Sequence, residues 1–257
     1  MMKWIAMLIA LVSADALAWR CEYERTLDES LDVRRSDVLD VAAAAGDLDI
    51  TGVSRSNEVS IRGRICVSDE DWLDKVRVGI REGDVAKIYV ESPDSDNGWS
   101  LWGNRYAYVD LVLEMPADLA LQLRDSSGDI EIESVDDVEV TDSSGDLEIR
   151  DARGNVEIKD SSGDITVRDL GGDLTIISDS SGNIRGNDIE GSVLVLADSS
   201  GHIGFSEVGR DVVVEKDSSG DITVASVGGD FSVLRDGSGQ IHSRDVKGEV
   251  NIPEDKD

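Results

Sequence analysis

Short alternations of apolar and polar residues run along most of the chain and recur at a nearly constant spacing. The pentapeptide "DSSGD", or a close variant of it, occurs seven times, with steps of 17, 18, 19, 19, 19 and 19 residues. Its first residues are Asp125, Asp142, Asp160, Asp179, Asp198, Asp217 and Asp236. A step as regular as this indicates one structural unit per repeat.

Each repeat contains two alternating segments separated by a turn. In the first repeat, Ile130 and Ile132 stand five and seven residues after the Asp, and Val135 stands ten residues after it. Glycine follows this third apolar position within two residues in most repeats, and a second pair, Val138 and Val140, completes the unit. Alternation with a period of two predicts strands with one buried face. The glycines predict a turn in which they supply positive φ.

A lone two-stranded ribbon with one apolar face is marginal in water, so the repeats are expected to stack. Stacked coils would place equivalent residues ~4.8 Å apart and two sheets ~10 Å apart. The sequence therefore predicts an all-β fold, a single-stranded, β-helix-like β-solenoid of about 17–19-residue coils, with the regular seven-coil array at 125–252. A meander, sandwich or propeller is the alternative, and it would need longer blades or less uniform units.

Residues 41–124 are predicted to form irregular first coils and an insert. Leu48 and Ile50 alternate, Val53 marks a turn, and Val59 and Ile61 alternate again, so this segment is interpreted as a first coil without the Asp-Ser corner. Three longer runs follow, "KVRVGIRE", "VAKIYVES" and "AYVDLVLEM". We expect them to form wider coils or a cap, because an open solenoid end exposes core and strand edges.

The order of these motifs is similar to that of a known family. "GDLDITG" comes near the start, "VDLVLEMPADLALQLRDSSGDIEI" in the middle, and a run of "SGDI" coils follows. From about Val41 to Ile252, the chain resembles the bacterial putative adhesin family of exported or envelope β-solenoid proteins. The resemblance implies a solenoid fold and an envelope location. It implies no reaction, because that family has no established catalytic residues to carry over.

The first residues, "MMKWIAMLIALVSADALAWRC", have the charged, apolar and small-residue order of a signal peptide. We expect residues 1–18 to be removed and residues 19–257 to form a single exported domain, periplasmic, secreted or associated with the cell surface. An uncleaved anchor is the alternative, but the apolar run is too short and Asp15 interrupts its end. No later segment is apolar enough to span a bilayer, so the mature chain is predicted to lack a membrane span.

The two cysteines, Cys21 and Cys66, are predicted to form a disulfide because exported compartments are oxidising. Closing that loop would stabilise the fold by roughly 4 kcal/mol in the chain-entropy model. Two unpaired thiols are the alternative. The formal net charge of -30 repels nucleic acid, which is therefore excluded as a partner.

The repeated Asp has two interpretations. As a turn residue, it accepts hydrogen bonds from backbone N–H groups two or three residues on, while the serines tie the turn and glycine takes positive φ. As a ligand, it would make the chain a Ca²⁺-binding β-roll. The second acidic position is lost in three repeats, where it is replaced by Asn183, His202 and Gln240. An incomplete oxygen set favours the turn, and no cofactor is predicted, with Ca²⁺ kept as the alternative.

Candidate binding residues are concentrated in the segment "SDNGWSLWGNRYAY". It contains Trp99, Trp102, Tyr106 and Tyr108, which could stack on sugar rings or anchor a protein interface, or could simply cover the solenoid end. No catalytic residues are predicted, because acidic and basic residues are spread evenly and neither His202 nor His242 has an evident partner.

The chain is therefore predicted to be a non-enzymatic, adhesin-like binding module. Its expected partner is an envelope or surface protein or a glycan. A structural or regulatory envelope protein that binds another envelope protein is the alternative. A polysaccharide-active enzyme is a more distant one.

Overall fold

The computed structural model describes residues 21–92 and 105–253. Within them, residues 21–124, here called the first part, contain eight strands and one short helix. Their bounds are β1 (Tyr23–Asp32), β2 (Val38–Ala42), β3 (Leu48–Val53), β4 (Glu58–Val67), α1 (Glu70–Leu73), β5 (Arg77–Arg81), β6 (Val85–Glu91), β7 (Ala107–Pro116) and β8 (Ala120–Arg124).

The array, residues 125–252, contains fourteen further strands, two per coil. They are β9 (Ile130–Glu133), β10 (Val138–Thr141), β11 (Leu147–Ala152), β12 (Val156–Lys159), β13 (Ile165–Leu170), β14 (Leu174–Ser178), β15 (Ile184–Ile189), β16 (Val193–Val195), β17 (Ile203–Val208), β18 (Val212–Val214), β19 (Ile222–Val227), β20 (Phe231–Val233), β21 (Ile241–Val246) and β22 (Val250–Asn251).

The strands form two eleven-stranded sheets, so the predicted all-β solenoid is confirmed. The first sheet has the order β1-β4-β7-β3-β9-β11-β13-β15-β17-β19-β21, and the second has the order β22-β20-β18-β16-β14-β12-β10-β8-β2-β6-β5. Each strand of the array pairs in parallel with its equivalent in the next coil, as Leu147 with Ile165 and Val156 with Leu174. The chain therefore alternates between the sheets once per coil.

The core consists of the apolar columns predicted from the repeat. Ile130, Ile132, Val135, Val138 and Val140 are all at most 3% exposed, and their equivalents in the next five coils are buried as well. The seventh coil differs, because it has no following coil in the described structure. There Val250 is 44% exposed and Ile252 is 47% exposed, so the prediction that this coil contributes to the core is wrong for these positions.

The first part departs from the predicted coil. Strand β3 pairs in parallel with β9, as expected for a coil of the solenoid. Strand β4, with Val59 and Ile61, was expected to return along the opposite sheet. Instead it stays in the first sheet and pairs antiparallel with both β1 and β7. The opposite strand of this coil is β2, which precedes β3 and pairs in parallel with β8.

The turn between the two strands of each coil is built differently from the prediction. Its glycines do not adopt positive φ. Non-glycine residues do so instead, at Ser134, Asp151, Asp169, Asp188, Glu207, Ser226 and Asp245, with φ from 54° to 59°. The glycines are required by close stacking: a Cβ at Gly172 would lie 2.2 Å from the carbonyl oxygen of Gly154 in the preceding coil.

The wider strands and the disulfide lie at the N-terminal end of the solenoid. Strands β5, β6 and β7 correspond to the three runs predicted to form wider coils or a cap. Cys21 and Cys66 form a disulfide that joins the segment before β1 to β4. In the described residues, no helix is both long enough and apolar enough to cross a membrane.

Candidate functional site

The first Asp of each repeat lies inside the solenoid. We call these seven residues the corner column: Asp125, Asp142, Asp160, Asp179, Asp198, Asp217 and Asp236. All of them except Asp236 are between 1% and 6% exposed. Their backbones are in parallel register, with bridges from Asp179 to Asp198 and from Asp198 to Asp217. The column therefore runs along the solenoid axis as a buried file of carboxyl groups.

The side chains of the corner column accept hydrogen bonds from the turn that follows. Oδ1 of Asp160 accepts from the backbone N–H of Ser161 at 2.6 Å and from that of Ser162 at 3.3 Å. The N–H of Ser219 donates to Oδ1 of Asp217 at 3.1 Å. The predicted donor two residues on is therefore present, and the other donor is one residue on and not three. At least one oxygen of every corner Asp still lacks a hydrogen-bond partner in the described structure.

Burial raises the pKa of the six buried corner carboxyl groups, from Asp125 to Asp217, because it penalises their charged form. It raises the pKa of Asp125 to about 7, with a further contribution from the charge of Asp142. The pKa of Asp198 is likewise raised to about 7 by burial and by the neighbouring carboxyls of Asp217 and Asp179. Burial raises the pKa of Asp160 to about 6, against the backbone hydrogen bond from Ser161.

The other residues of the corner connect one coil to the next. The hydroxyl of Ser162 donates to the carbonyl oxygen of Ser143 in the preceding coil at 3.2 Å. The last residue of the motif forms its own ladder, in which the N–H of Asp164 donates to Oδ1 of Asp146 at 2.9 Å. Asn183 continues the ladder because its side-chain oxygen accepts from the N–H of His202 at 3.1 Å. An oxygen at this position therefore extends the ladder, whether Asp or Asn supplies it, and His202 supplies none.

The described residues contain no group of three or more His, Cys, Asp or Glu side chains that could hold a metal ion. The trailing carboxylates point into the inter-coil ladder, and the corner column is stacked one carboxyl per coil. Ca²⁺ requires about six to eight oxygen ligands converging on one point. Neither column provides such a point in the described structure.

The aromatic segment lies partly at the N-terminal end of the solenoid. The rings of Tyr106 and Tyr108 are half-buried and stacked, with centroids 5.9 Å apart. The backbone N–H of Tyr106 donates to Oγ of Ser68 at 2.9 Å, and Tyr108 is paired with Cys66 across the strands. Trp99 and Trp102 lie outside the described residues. The two tyrosines thus pack beside the disulfide and keep part of each ring exposed.

A shallow depression opens on the outer face of the first sheet between β13, β15 and β17. Its volume is about 370 Å³, and we call it the central depression. The polar side chains that line it are Thr166, Arg168, Arg185, Asn187, His202 and Ser206. A second depression, of about 490 Å³, is lined by Asp151, Asp169, Asp188 and Glu190. The central depression therefore differs in having no carboxylate in its lining.

A missing side chain creates the floor of the central depression. The fifth coil, which begins at Asp198, has Gly204 in the outward position that Glu131 and Glu148 occupy in the first two coils. The ring of His202 lies beside it, with Nε2 3.2 Å from the place that a Cβ on Gly204 would take. Inside the sheet, Gly186 makes room for the ring of Phe205, which lies 2.6 Å from the place of its missing Cβ.

Ion pairs at the rim balance the arginines of the central depression. Nη1 of Arg185 lies 2.7 Å from Oδ2 of Asp164, and this contact holds the pKa of Asp164 below its usual value. Arg168 forms a second ion pair, with Glu148. Because a guanidinium carries five N–H donors, each pair uses only part of the donor capacity. The depression is thus rich in hydrogen-bonding groups and close to neutral.

Sequence reasoning did not single out the central depression. In the sequence, His202 has no evident partner, and Arg185 is not among the candidate binding residues. The available signal was that acidic residues present at two positions of earlier coils are replaced by His202 and Gly204 in one coil. Those positions converge only when the coil register is known.

The two sheets, which are parallel throughout the array, and the buried corner carboxyls define the protein as a β-solenoid. The model of the Toastrack DUF4097 family matches residues 93–243, more than half of the chain. This protein belongs to that family, and the resemblance seen in the sequence is confirmed. No curated protein gives a significant match.

Several solved structures are similar to the chain at low identity. One is described as a putative cell adhesion protein from Clostridium sporogenes, with 13% identity, 90% of this chain and 99% of that chain covered, and a TM-score of 0.35. Another, a putative lipid binding protein from Parabacteroides distasonis, has 18% identity, coverages of 89% and 97%, and a TM-score of 0.48. A putative adhesin from Bacteroides fragilis has 13% identity, coverages of 89% and 97%, and a TM-score of 0.32.

Proposed function

We propose that this protein is an exported, non-enzymatic, adhesin-like binding module that presents the outer faces of a rigid solenoid to a partner at the cell envelope or surface. In this proposal, residues 1–18 are a signal peptide and residues 19–257 form one domain. The mature protein resides in the periplasm, or it is secreted or associated with the cell surface. The disulfide between Cys21 and Cys66 supports an oxidising location.

The observation that carries the proposal is the central depression. Its side chains are held on consecutive strands of a parallel sheet, where the ladder of backbone hydrogen bonds fixes their spacing. Nδ2 of Asn187 donates to Oγ of Ser206 at 2.8 Å, which further orients both groups. Preorganised polar groups on rigid strands bind at lower entropic cost than groups on mobile loops.

The chemistry of the depression fits a neutral glycan. Guanidinium, amide, imidazole and hydroxyl groups surround it, and together they donate and accept the hydrogen bonds that sugar hydroxyls need. Its volume of about 370 Å³ is within the range of small-ligand sites. An anionic polymer is disfavoured because the protein carries a net charge of -30.

Binding of immobilised oligosaccharides, neutral and acidic, by the mature protein tests the proposal. We expect a neutral glycan to be retained and Arg185→Ala to weaken its binding by roughly tenfold, since a hydrogen bond to a charged group is lost. The control is Arg62→Ala on the same sheet. Arg62 is also an exposed, ion-paired arginine, with its Nη2 2.6 Å from Oε1 of Glu114, but it lies outside the depression.

Equal affinity of the Arg185→Ala and wild-type proteins would remove the central depression from the proposal. Retention abolished instead by Trp99→Ala with Trp102→Ala would move the glycan site to the aromatic segment. If none of the glycans is retained by the wild-type protein, glycan binding is rejected.

The exposed ring area of Tyr106 and Tyr108 favours a second candidate, a structural or regulatory role in which the N-terminal end contacts another envelope protein. Tyrosine is enriched at protein interfaces because it combines a large apolar ring with a hydroxyl group. Photo-crosslinking from position 108 in cells would detect such a partner. Crosslinking to protein that is lost when Tyr106 is changed to Ser would favour this candidate over glycan binding.

A further inference from the structure

The corner column is a set of buried carboxyl groups with no balancing cations. Among the described residues, no basic side chain forms an ion pair with a corner Asp. Basic residues precede four of the corners and are exposed: Arg124, Lys159, Lys216 and Arg235. Arg124 pairs instead with Asp40. Transfer of an unpaired carboxylate out of water is strongly unfavourable, and proteins usually avoid it by neutralising the group.

The charged groups that face the column are other carboxyls. Asp47, at the corner of the first coil, acts on Asp125. Asp164 acts on Asp179, and Asp236 acts on Asp217. Within the column, Asp142 and Asp179 act on Asp160, and Asp179 and Asp217 act on Asp198. Every one of these charges opposes ionisation of the column.

The unpartnered oxygens are placed where neighbouring carboxyls can meet. Coils of a parallel solenoid repeat every ~4.8 Å, and the column members are aligned in register. Both side-chain oxygens of Asp198 and Oδ2 of Asp217, in adjacent coils, have no hydrogen-bond partner in the described structure. Two carboxylates cannot hydrogen-bond to each other, but a carboxyl group and a carboxylate can. A proton on every second corner Asp would therefore give a hydrogen-bond partner to carboxyl oxygens that lack one.

Asp40 shows that a buried carboxyl does not have a raised pKa when cations are paired with it. Its side chain is 7% exposed, yet Oδ2 lies 2.7 Å from Nζ of Lys87 and Oδ1 lies 2.5 Å from Nη2 of Arg124. Burial acts to raise the pKa of Asp40, but the hydrogen bond from Lys87 and the charge of Arg124 together hold the pKa below its usual value. The corner column has the burial without the cations.

We propose that the corner column is a proton-binding site of the folded protein, in which protons from solvent bridge carboxyl groups of successive coils at neutral pH. Each bound proton removes one of two facing like charges and supplies a donor to an acceptor oxygen. Binding is a property of the stacked state, because the carboxyls of the unfolded chain are hydrated and separate. The inference is independent of the proposed glycan binding.

The sign of the pH dependence follows from proton linkage. A carboxyl whose pKa is higher in the folded than in the unfolded state binds more protons when folded. Its stabilising contribution is complete below the unfolded pKa and is lost as the pH rises through the folded pKa, which is about 6 for Asp160 and about 7 for Asp198. Stability should therefore rise on acidification from about pH 8 to about pH 5, the reverse of ordinary carboxylates.

Two measurements test the proposal. In the first, carboxyl-carbon NMR titration of the folded wild-type protein should show Asp resonances with midpoints well above the usual range of Asp. In the second, urea unfolding at about pH 8 and about pH 5 is compared for the wild-type, Asp160→Asn and Asp146→Asn proteins. Asp146→Asn is the matched control, since it removes one charge from an exposed corner position and keeps an acceptor oxygen for the N–H of Asp164.

We expect the urea midpoint of the wild-type protein to be higher at the acidic pH. Asp160→Asn should raise the midpoint at about pH 8 and reduce its change with pH, whereas Asp146→Asn should leave that change as in the wild-type protein. Equal pH dependence in both variants would assign the effect to overall charge repulsion and overturn the proposal. So would Asp resonances that all titrate near their usual pKa. A shift of the midpoint by millimolar Ca²⁺ relative to chelator, equal to that produced by acid, would replace the proton site by a metal site.

Discussion

In the first part, the strands that cover the solenoid end pair antiparallel and a disulfide joins the segment before β1 to β4, whereas in the array each strand pairs in parallel with its equivalent in the next coil. The two regions also differ in how their buried carboxyl groups are paired. Asp40 in the first part is paired with Lys87 and Arg124, whereas the six buried members of the corner column form no ion pair with any residue in 21–92 or 105–253.

The difference shows what a repeat can and cannot vary. In the first part, neighbouring strands are not copies of one another, so cations can be placed beside the buried carboxyl of Asp40. In the array, the neighbour of a corner Asp is its own equivalent, so its carboxyl is stacked on another carboxyl. Stacking of identical groups is favourable for apolar columns and for the trailing ladder of side-chain oxygens on N–H groups. It is unfavourable for carboxylates because their like charges repel, and a bound proton removes this repulsion.

The largest effect is expected from a methyl group placed between stacked corners. A Cβ at Gly163 would lie 1.7 Å from the carbonyl oxygen of Gly145, and the φ of Gly163 is +130°. Gly163→Ala should therefore force two coils apart and lower the free energy of unfolding by more than about 4 kcal/mol, the range of severe steric conflicts. Urea unfolding followed by circular dichroism measures the loss.

The control for this substitution lies in the first part. A Cβ at Gly83, between β5 and β6, would be 3.4 Å from its nearest heavy atom, and Gly83 is exposed. We expect Gly83→Ala to change the free energy of unfolding by less than about 0.5 kcal/mol. A Gly163→Ala protein as stable as the Gly83→Ala protein would mean that the corners are not closely stacked.

The next largest effect concerns the disulfide of the first part. Removal of the bond by combining Cys21→Ser with Cys66→Ala should lower stability by roughly 4 kcal/mol, because the unfolded chain regains the freedom of a closed loop. Alanine is chosen at position 66 since Cys66 is fully buried. Relative to the wild-type protein, amide hydrogen exchange should become faster in β1 and change less in β13. Equally faster exchange in both strands would show that the first part and the array unfold together.

The smallest effect distinguishes the two serines of one corner. The hydroxyl of Ser162 donates to the carbonyl of Ser143 in the preceding coil, so Ser162→Ala should cost about 0.5–1 kcal/mol. Ser161 takes part through its backbone N–H, which Ser161→Ala retains. The Ser161→Ala protein should therefore unfold at the wild-type urea concentration. The reverse ranking of the two variants would refute the assigned roles.

The array could be predicted from the sequence because its contacts repeat. Once Ile130 and Ile132 are known to alternate, the spacing of the Asp residues places their equivalents in every coil. The course of β4 could not be predicted in this way, since Val59 and Ile61 have the same alternation whether the strand pairs in parallel or antiparallel. Alternation specifies which face is buried but not which strand is the neighbour.

The candidate sites were less accessible to sequence reasoning. The corner Asp was correctly placed in the turn, but its burial and its unpartnered oxygen depend on which way the side chain points at the corner. The central depression required the register that aligns Gly204 with Glu148 three coils earlier, through Thr166 and Arg185. Gly186, an exception in an otherwise apolar column, is explained only by the ring of Phe205 in the following coil.

The seventh coil has a consequence for the order in which the solenoid loses structure. Strands β21 and β22 each pair with one strand only, on one side, in the described part of the chain, and Leu234 beneath them is 59% exposed. In a stack whose stability is a sum of nearest-neighbour terms, the layer with a single neighbour melts first. We therefore expect unfolding to begin at the C-terminal coil and to proceed coil by coil toward the disulfide, in one direction only.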